Sequence, residues 1–210
     1  MAGPTTPREF QRQLRSVFAI LRTLVRQTKE GRQSIEDYAA HLEGRIGALA
    51  RVQEILLRAP DEGADLYELV CGELISQAIP QSRFDARGPE VRITQESAAA
   101  LTLTFHELTV NAMTHGALAT SEGHVRIRWS LRTENGRRWL DLAWDELNGA
   151  PPGDITRKQG FGTELLERML PYELGARPAR TCAEDGIRIR LQIPAAAGGL
   201  IWRSANGETL

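Results

Sequence analysis

The sequence predicts an α+β protein: an antiparallel helical hairpin, paired with a second copy as a dimeric four-helix bundle, then an α/β sandwich with helices on one face of a sheet. Three observations predict this. Apolar residues recur at three- and four-residue steps through residues 8–58. The segment Ala59-Pro60-Asp61-Glu62-Gly63 then breaks the pattern. Beyond it, three stretches alternate apolar and polar, two of them flanking Asn135-Gly136. A period of 3.6 marks a helix face and a period of two marks a strand.

The elements follow in order. Thr6-Pro7-Arg8-Glu9 is a helix start: a Thr N-cap, Pro at the first helical position and Glu three residues after the cap. Phe10, Leu14, Val17, Phe18, Leu21, Leu24 and Val25 form one stripe, and Gly31 is a stop. Ser34 caps a second helix with the stripe Ile35, Tyr38, Leu42, Ile46, Leu49, Val52 and Leu56. The short connection folds the two back antiparallel, and a second hairpin is the natural cover for stripes this long. Leu66, Leu69, Val70, Leu74 and Ile75 predict a third helix, ended by Pro80. Val91-Arg92-Ile93 predicts a short strand, and residues 96–114 a helix. The segments His124–Trp129 and Arg138–Trp144 predict a hairpin about Asn135-Gly136. Thr163 to Leu170 reads as a short helix stopped by Pro171, and Ile187 to Ile193 as a strand. Leu200-Ile201-Trp202 is the part of the tail able to dock back. The domains expected are a stem over 1–60, a second domain over 61–194 and a tail over 195–210.

The bulk chemistry narrows the function. The chain has 210 residues, 41% hydrophobic and 25% charged, with a net charge of −1. A general nucleic-acid binder carries a clear basic excess, so that class is disfavoured. Lys29 and Lys158 are the only lysines. Cys71 and Cys182 have no metal or redox spacing and read as free thiols in a reducing cytoplasm. No stretch approaches the length of a membrane span, and the N-terminus has no signal-peptide core. The expectation is a cytoplasmic protein without a membrane anchor, receiving any input through a separate partner.

Three segments carry chemistry. In Phe105 to Leu118, Glu107 and Asn111 lie four apart and share a helix face, with His115 four further on. Buried, those polar groups need a polar ligand, and Mg²⁺ with nucleotide phosphates supplies one. A solvated stripe serves the spacing equally well. Trp144-Asp145-Glu146-Leu147-Asn148-Gly149 ends a strand, where a carboxylate can accept a hydrogen bond from an adenine amine. A plain turn explains it as well. Gln159-Gly160-Phe161-Gly162-Thr163 opens a helix, and glycines there let a phosphate approach free N–H groups. Arg157 and Lys158 can reach phosphates or be ordinary loop charges.

In this order and at these separations the segments resemble the HWE histidine kinases, a branch of the two-component sensor kinases. His106-Glu107-Leu108 with Asn111-Ala112 and Gly116-Ala117-Leu118 resembles the branch's N-box. Trp144-x-Glu146 resembles its adenine box, and Gly160-Phe161-Gly162-Thr163 its last glycine box. Gly88-Pro89-Glu90-Val91 and Glu173-Leu174-Gly175-Ala176 also look like the branch. Phe18 to Thr28 and Arg45 to Gln53 resemble its two stem helices. The resemblance extends over residues 8–194.

It implies a sandwich of the histidine-kinase ATPase type, ATP and Mg²⁺ as ligands, and a lid near residues 149–159. It implies that Glu107 acts as base or orients the acceptor, that Asn111 holds Mg²⁺, and that Glu146 lies at the adenine. It implies nucleotide contacts for His106, Gly149, Gly160, Phe161, Gly162 and Thr163. Its partners are a second copy through the stem and a response-regulator receiver domain. The departures are specific. The phosphorylated His of the family falls at Arg12 and the following Arg at Gln13. The lysine after the N-box Asn falls at Thr114, and an adenine-box glycine at Asn148. His41 stands too far along the second stem helix to take the place of Arg12.

Two functions follow: a histidine kinase core, or a degenerate kinase-like adaptor that docks a receiver without autophosphorylation. A serine kinase of the anti-sigma type is disfavoured, since those regulators lack a long helical hairpin. Catalysis is left open.

Overall fold

The computed structural model describes residues 34–58, 63–149, 161–183, 186–195 and 200–201. The first stem helix, Arg12, Arg157, Lys158 and Gly160 lie outside the described residues.

Helix α1 spans Ile35–Arg58. Ser34 caps it as the sequence predicts, its hydroxyl accepting from the Asp37 N–H at 3.0 Å. Helix α2 spans Leu66–Ser76, capped by Asp65 accepting from the Glu68 N–H at 3.1 Å. Helix α3 spans Gln95–Thr114. Its side chains from Ser97 to Thr109 are buried all round. An all-round buried helix must have neighbours on every side. On one side Leu101, Phe105, Leu108 and Ala112 join the main core with Val125, Ile127, Leu140, Leu142 and Trp144 of the sheet. On the other, Leu103 packs with Phe161 and Leu165, covered by Leu42 and Leu49 of α1.

The main sheet has five strands: β2 (Phe84–Arg87), β4 (His124–Glu134), β5 (Arg137–Leu147), β6 (Arg177–Ala183) and β7 (Gly186–Pro194). Their order is β2-β4-β5-β7-β6. Among these described strands only the β2–β4 pair is parallel. The hairpin between β4 and β5 turns at Asn135 and Gly136, with φ of 50° and 73°. Both lie in the left-handed region that an Asn-Gly turn requires. A smaller sheet joins β1 (Ala64–Asp65), β3 (Arg92–Ile93) and β8 (Leu200–Ile201) in the order β1-β3-β8. The tail therefore docks back at residues 200–201.

Helix α4, residues 161–174, corrects one expectation. It does not stop at Pro171. An α turn Phe161–Glu164 leads into a π stretch Leu165–Met169, and α geometry resumes over Leu170–Leu174. Proline lacks an N–H and clashes with the carbonyl four residues back. The wider π turn in front of Pro171 relieves both demands and lets the helix pass. It ends at Gly175, φ 61°, where Ala176 N–H donates to the Leu170 carbonyl at 3.2 Å.

Helix α1 brings a second correction. The face it buries is Arg45, Ala48, Val52 and Leu56, against α3 and the main core. Of the expected stripe, Val52 and Leu56 are buried, whereas Ile35 is 82% and Ile46 44% exposed. Helix α1 is built into the same core as α3 and the main sheet. Strands β1, β2 and β6 had no clear signal. Ala64–Asp65 is too short to show a period, and Phe84–Arg87 and Arg177–Ala183 carry charges or proline in place of alternation.

Candidate functional site: the C-terminal end of helix α3

Strand period places Leu140, Leu142, Trp144 and Glu146 on the inner face of β5. The first three are core. Glu146, 2% exposed, is a carboxylate among them and must be partnered. The Ala117 N–H donates to its Oε2 at 2.9 Å, and Trp144 Nε1 approaches Oε1 at 3.4 Å. Burial pushes the Glu146 carboxyl above its ordinary range, and the donors from Ala117 and Trp144 offset this in part. Gly116 makes room for it: a β-carbon there would fall 1.9 Å from Glu146 Oε2. Gly149 packs on the same segment, its β-carbon position 3.0 Å from Ala117 Cα. Asn148 takes φ 53°, so at the position of a family glycine it keeps the glycine conformation, which Asn tolerates.

Glu107, Asn111 and Gly162 are brought together. A β-carbon on Gly162 would lie 3.2 Å from Asn111 Nδ2 and 3.5 Å from Glu107 Cβ. Asn111 is exposed, whereas Glu107 is 6% exposed. Thr163 is half-buried at the start of α4. Phe161 is buried in the cluster with Leu103 and Leu165 and presents its ring to Arg45, whose guanidinium carbon stands 3.8 Å from the centroid. Thr114 turns its hydroxyl back to the Val110 carbonyl at 2.7 Å and supplies no cation.

One residue sits differently from the sequence-based picture. His106, buried at 2%, has Nδ1 2.7 Å from Glu73 Oε1. A β-carbon on Gly44 of α1 would stand 3.0 Å from the same ring. His106 is thus built into the seam between α1, α2 and α3, apart from the Glu107, Asn111 and Gly162 group. Arg51 and Gln77 also donate to the Glu73 carboxylate, at 2.5 and 3.3 Å. Burial alone would raise the Glu73 carboxyl, but the His106 and Arg51 donors outweigh it and hold it below the ordinary range.

The residue that motif reading missed is Arg45. It is fully buried, with Nε 2.8 Å from Glu107 Oε1 and one terminal nitrogen 3.2 Å from Oε2. Its signal was present: Arg45 shares a helix face with Ala48, Val52 and Leu56, and a charge on a buried face must find a counter-charge.

The donor set fits ATP with Mg²⁺ in part. Asn111 offers an exposed amide oxygen of the kind Mg²⁺ takes, and Glu146 is a fixed acceptor at the same end of α3. The Gly162 backbone stands across from Asn111. Glu107 is already held by Arg45.

Residues 9–90 match the family model of the HWE histidine kinase. The blue-light-activated histidine kinase of Rhizobium johnstonii is 30% identical over 188 residues, covering 90% of this chain and 52% of that protein. The Brucella ovis protein of the same description is 26% identical over 188 residues, covering 89% of this chain and 38% of its own length. This chain therefore spans about half or less of those two relatives. The histidine kinase domain of the Erythrobacter litoralis blue-light-activated kinase superposes with a TM-score of 0.62 at 19% identity, over 85% of this chain and 83% of that one. At that identity the likeness is one of fold. No described helix is long and apolar enough to cross a membrane. With the family match over residues 9–90 and the sequence likeness over most of its length, the chain is similar to the HWE histidine kinases, a branch of the two-component sensor kinases.

Proposed function

We propose that this chain binds ATP with Mg²⁺ at the C-terminal end of α3 and acts in a response-regulator pathway as a dimer, without phosphorylating its own stem. The observation behind the reading is the convergence of Glu107, Asn111, Gly162 and Glu146, drawn from three separated motifs, on that one end of the helix. Glu146 receives the adenine amine. Asn111 is the Mg²⁺ ligand. The turn from Gly160 to Thr163 meets the phosphates with backbone N–H groups. Glu107, once free of Arg45, orients or deprotonates the group that attacks. The bound nucleotide supplies an activated phosphoryl group whose charge the metal offsets.

Arg12 separates the kinase from the adaptor. A neutral imidazole has a lone pair to attack with near neutral pH. A guanidinium stays protonated, with a pKa above about 12, and has none. The stem then docks a receiver domain through its helices, its exposed cations facing the acidic pocket of that partner. The cytoplasm, where nucleotide and receiver domains occur, is the proposed location.

The test is acid-labile label from radioactive ATP on wild type, Arg12→His and His41→Ala. The expected result is label on Arg12→His alone. Label on wild type that disappears in His41→Ala would overturn the assignment of Arg12.

A further inference from the structure

Arg45 belongs to helix α1, yet it touches two parts of the candidate site. Its guanidinium holds Glu107 through both carboxylate oxygens and lies on the ring of Phe161. It does so from full burial, with its side chain 0% and that of Glu107 8% exposed. Phe161 directly precedes Gly162, and the position of a β-carbon on Gly162 is only 3.2 Å from Asn111 Nδ2. That spacing is already tight for one carbon, so in this state the start of α4 lies directly against the Asn111 amide.

We propose that Arg45 is a positioning residue that straps the site shut: the docked stem helix pins the start of α4 onto α3 and occupies Glu107. Docking of α1 through Arg45 and binding of Mg-nucleotide are then competing states of the same helix face. The inference rests on the reading of this end of α3 as the nucleotide site and adds its regulation. Linkage makes the effect reciprocal: nucleotide loosens the stem by the factor by which the stem weakens nucleotide. Any signal that shifts α1 along or away from α3 opens the site, since such a shift carries Arg45 off Glu107.

The probe is a non-hydrolysable ATP analogue with Mg²⁺, titrated into the full chain as wild type, Arg45→Met and Arg45→Lys. Amide hydrogen exchange across residues 41–56 is followed in parallel. Methionine keeps the apolar stem and removes both the charge and the stack. Lysine keeps the charge but offers one point contact. The analogue is expected to bind Arg45→Met about fivefold tighter or more, Arg45→Lys in between, and to speed exchange of α1 in wild type. Should Arg45→Met fail to fold, the order of Arg45→Lys against wild type decides. Equal or weaker binding by folded Arg45 variants, or unchanged or slower exchange of α1 at saturation, overturns the strap. Absence of binding by all three proteins overturns the nucleotide site itself, and the strap with it. Binding gained only on replacing Arg45 supports both.

Discussion

Gly116 and Glu146 are in contact so close that no side chain fits between them: a β-carbon on Gly116 would fall 1.9 Å from Glu146 Oε2 and 2.8 Å from Ala112 Cα. Gly116→Ala is therefore expected to displace the Glu146 carboxylate from the Ala117 N–H. Overpacking of this kind costs about 1–3 kcal/mol. Thermal melts should show that loss, and affinity for an ATP analogue should fall about tenfold or more, the scale of one lost charged hydrogen bond. Gly72→Ala is the control. It sits in α2 with nothing within 4 Å of a β-carbon, so it should leave binding unchanged and raise stability slightly.

Burial raises the Glu146 carboxyl, and this has two opposite consequences. A folded pKa above the unfolded one favours the fold below the unfolded value, and that contribution is lost as pH rises through the folded value. Nucleotide binding needs the ionised form to accept from adenine, so affinity should fall as pH drops through the raised value. Titrating an ATP analogue from about pH 8 to 5 should show this decline at a higher pH than an ordinary glutamate gives. In Glu146→Gln the decline should vanish. A decline unchanged in the variant assigns the pH dependence elsewhere.

The buried Glu73 carboxylate behaves in the reverse sense. Its pKa is held low by His106 and Arg51 despite burial. The stabilisation is present above the unfolded value and is lost as pH falls through the lowered one. Glu73→Gln should cost about 3 kcal/mol at neutral pH, the scale for breaking one side of a buried ion pair. The gap should narrow in acid. Urea midpoints at two pH values measure it.

Much of this arrangement was readable in the sequence, for identifiable reasons. Helices α1, α2 and α3 announce themselves because Ser34 caps the first and because long apolar runs fit no other element. The hairpin at Asn135-Gly136 is legible because only left-handed residues make that turn. The motif residues Glu107, Asn111, Glu146 and Gly162 were singled out individually, and the fold brings them to one end of α3. What escaped depends on tertiary partners. Strand β2 exists because Phe84–Arg87 pairs with β4, not through its own pattern. Helix α4 passes Pro171 by a π turn that no local rule foretells. His106 looks like its motif neighbours until Glu73, 33 residues away, is placed beside it. Arg45 likewise gains its meaning from Glu107, 62 residues on.

Helix α1 leaves Ile35, Ile46 and Leu57 exposed at 82%, 44% and 76%. With the apolar stripe expected over residues 10–25, this surface is the proposed dimer seam. Light scattering at micromolar concentration should return a dimer, and Ile46→Asp should shift it toward monomer without loss of helix content. A wild-type monomer contradicts the four-helix bundle.

The central claim is that Mg-nucleotide binds at the C-terminal half of α3, through Asn111, Gly162 and Glu146. Calorimetric titration of an ATP analogue into wild type and Asn111→Ala, each with and without Mg²⁺, tests it most directly. Asn111 is exposed, so its truncation should leave the fold intact. The account predicts Mg²⁺-dependent binding by wild type and loss of the Mg²⁺ dependence in Asn111→Ala. Equal affinity of the two proteins in the presence of Mg²⁺ would contradict it.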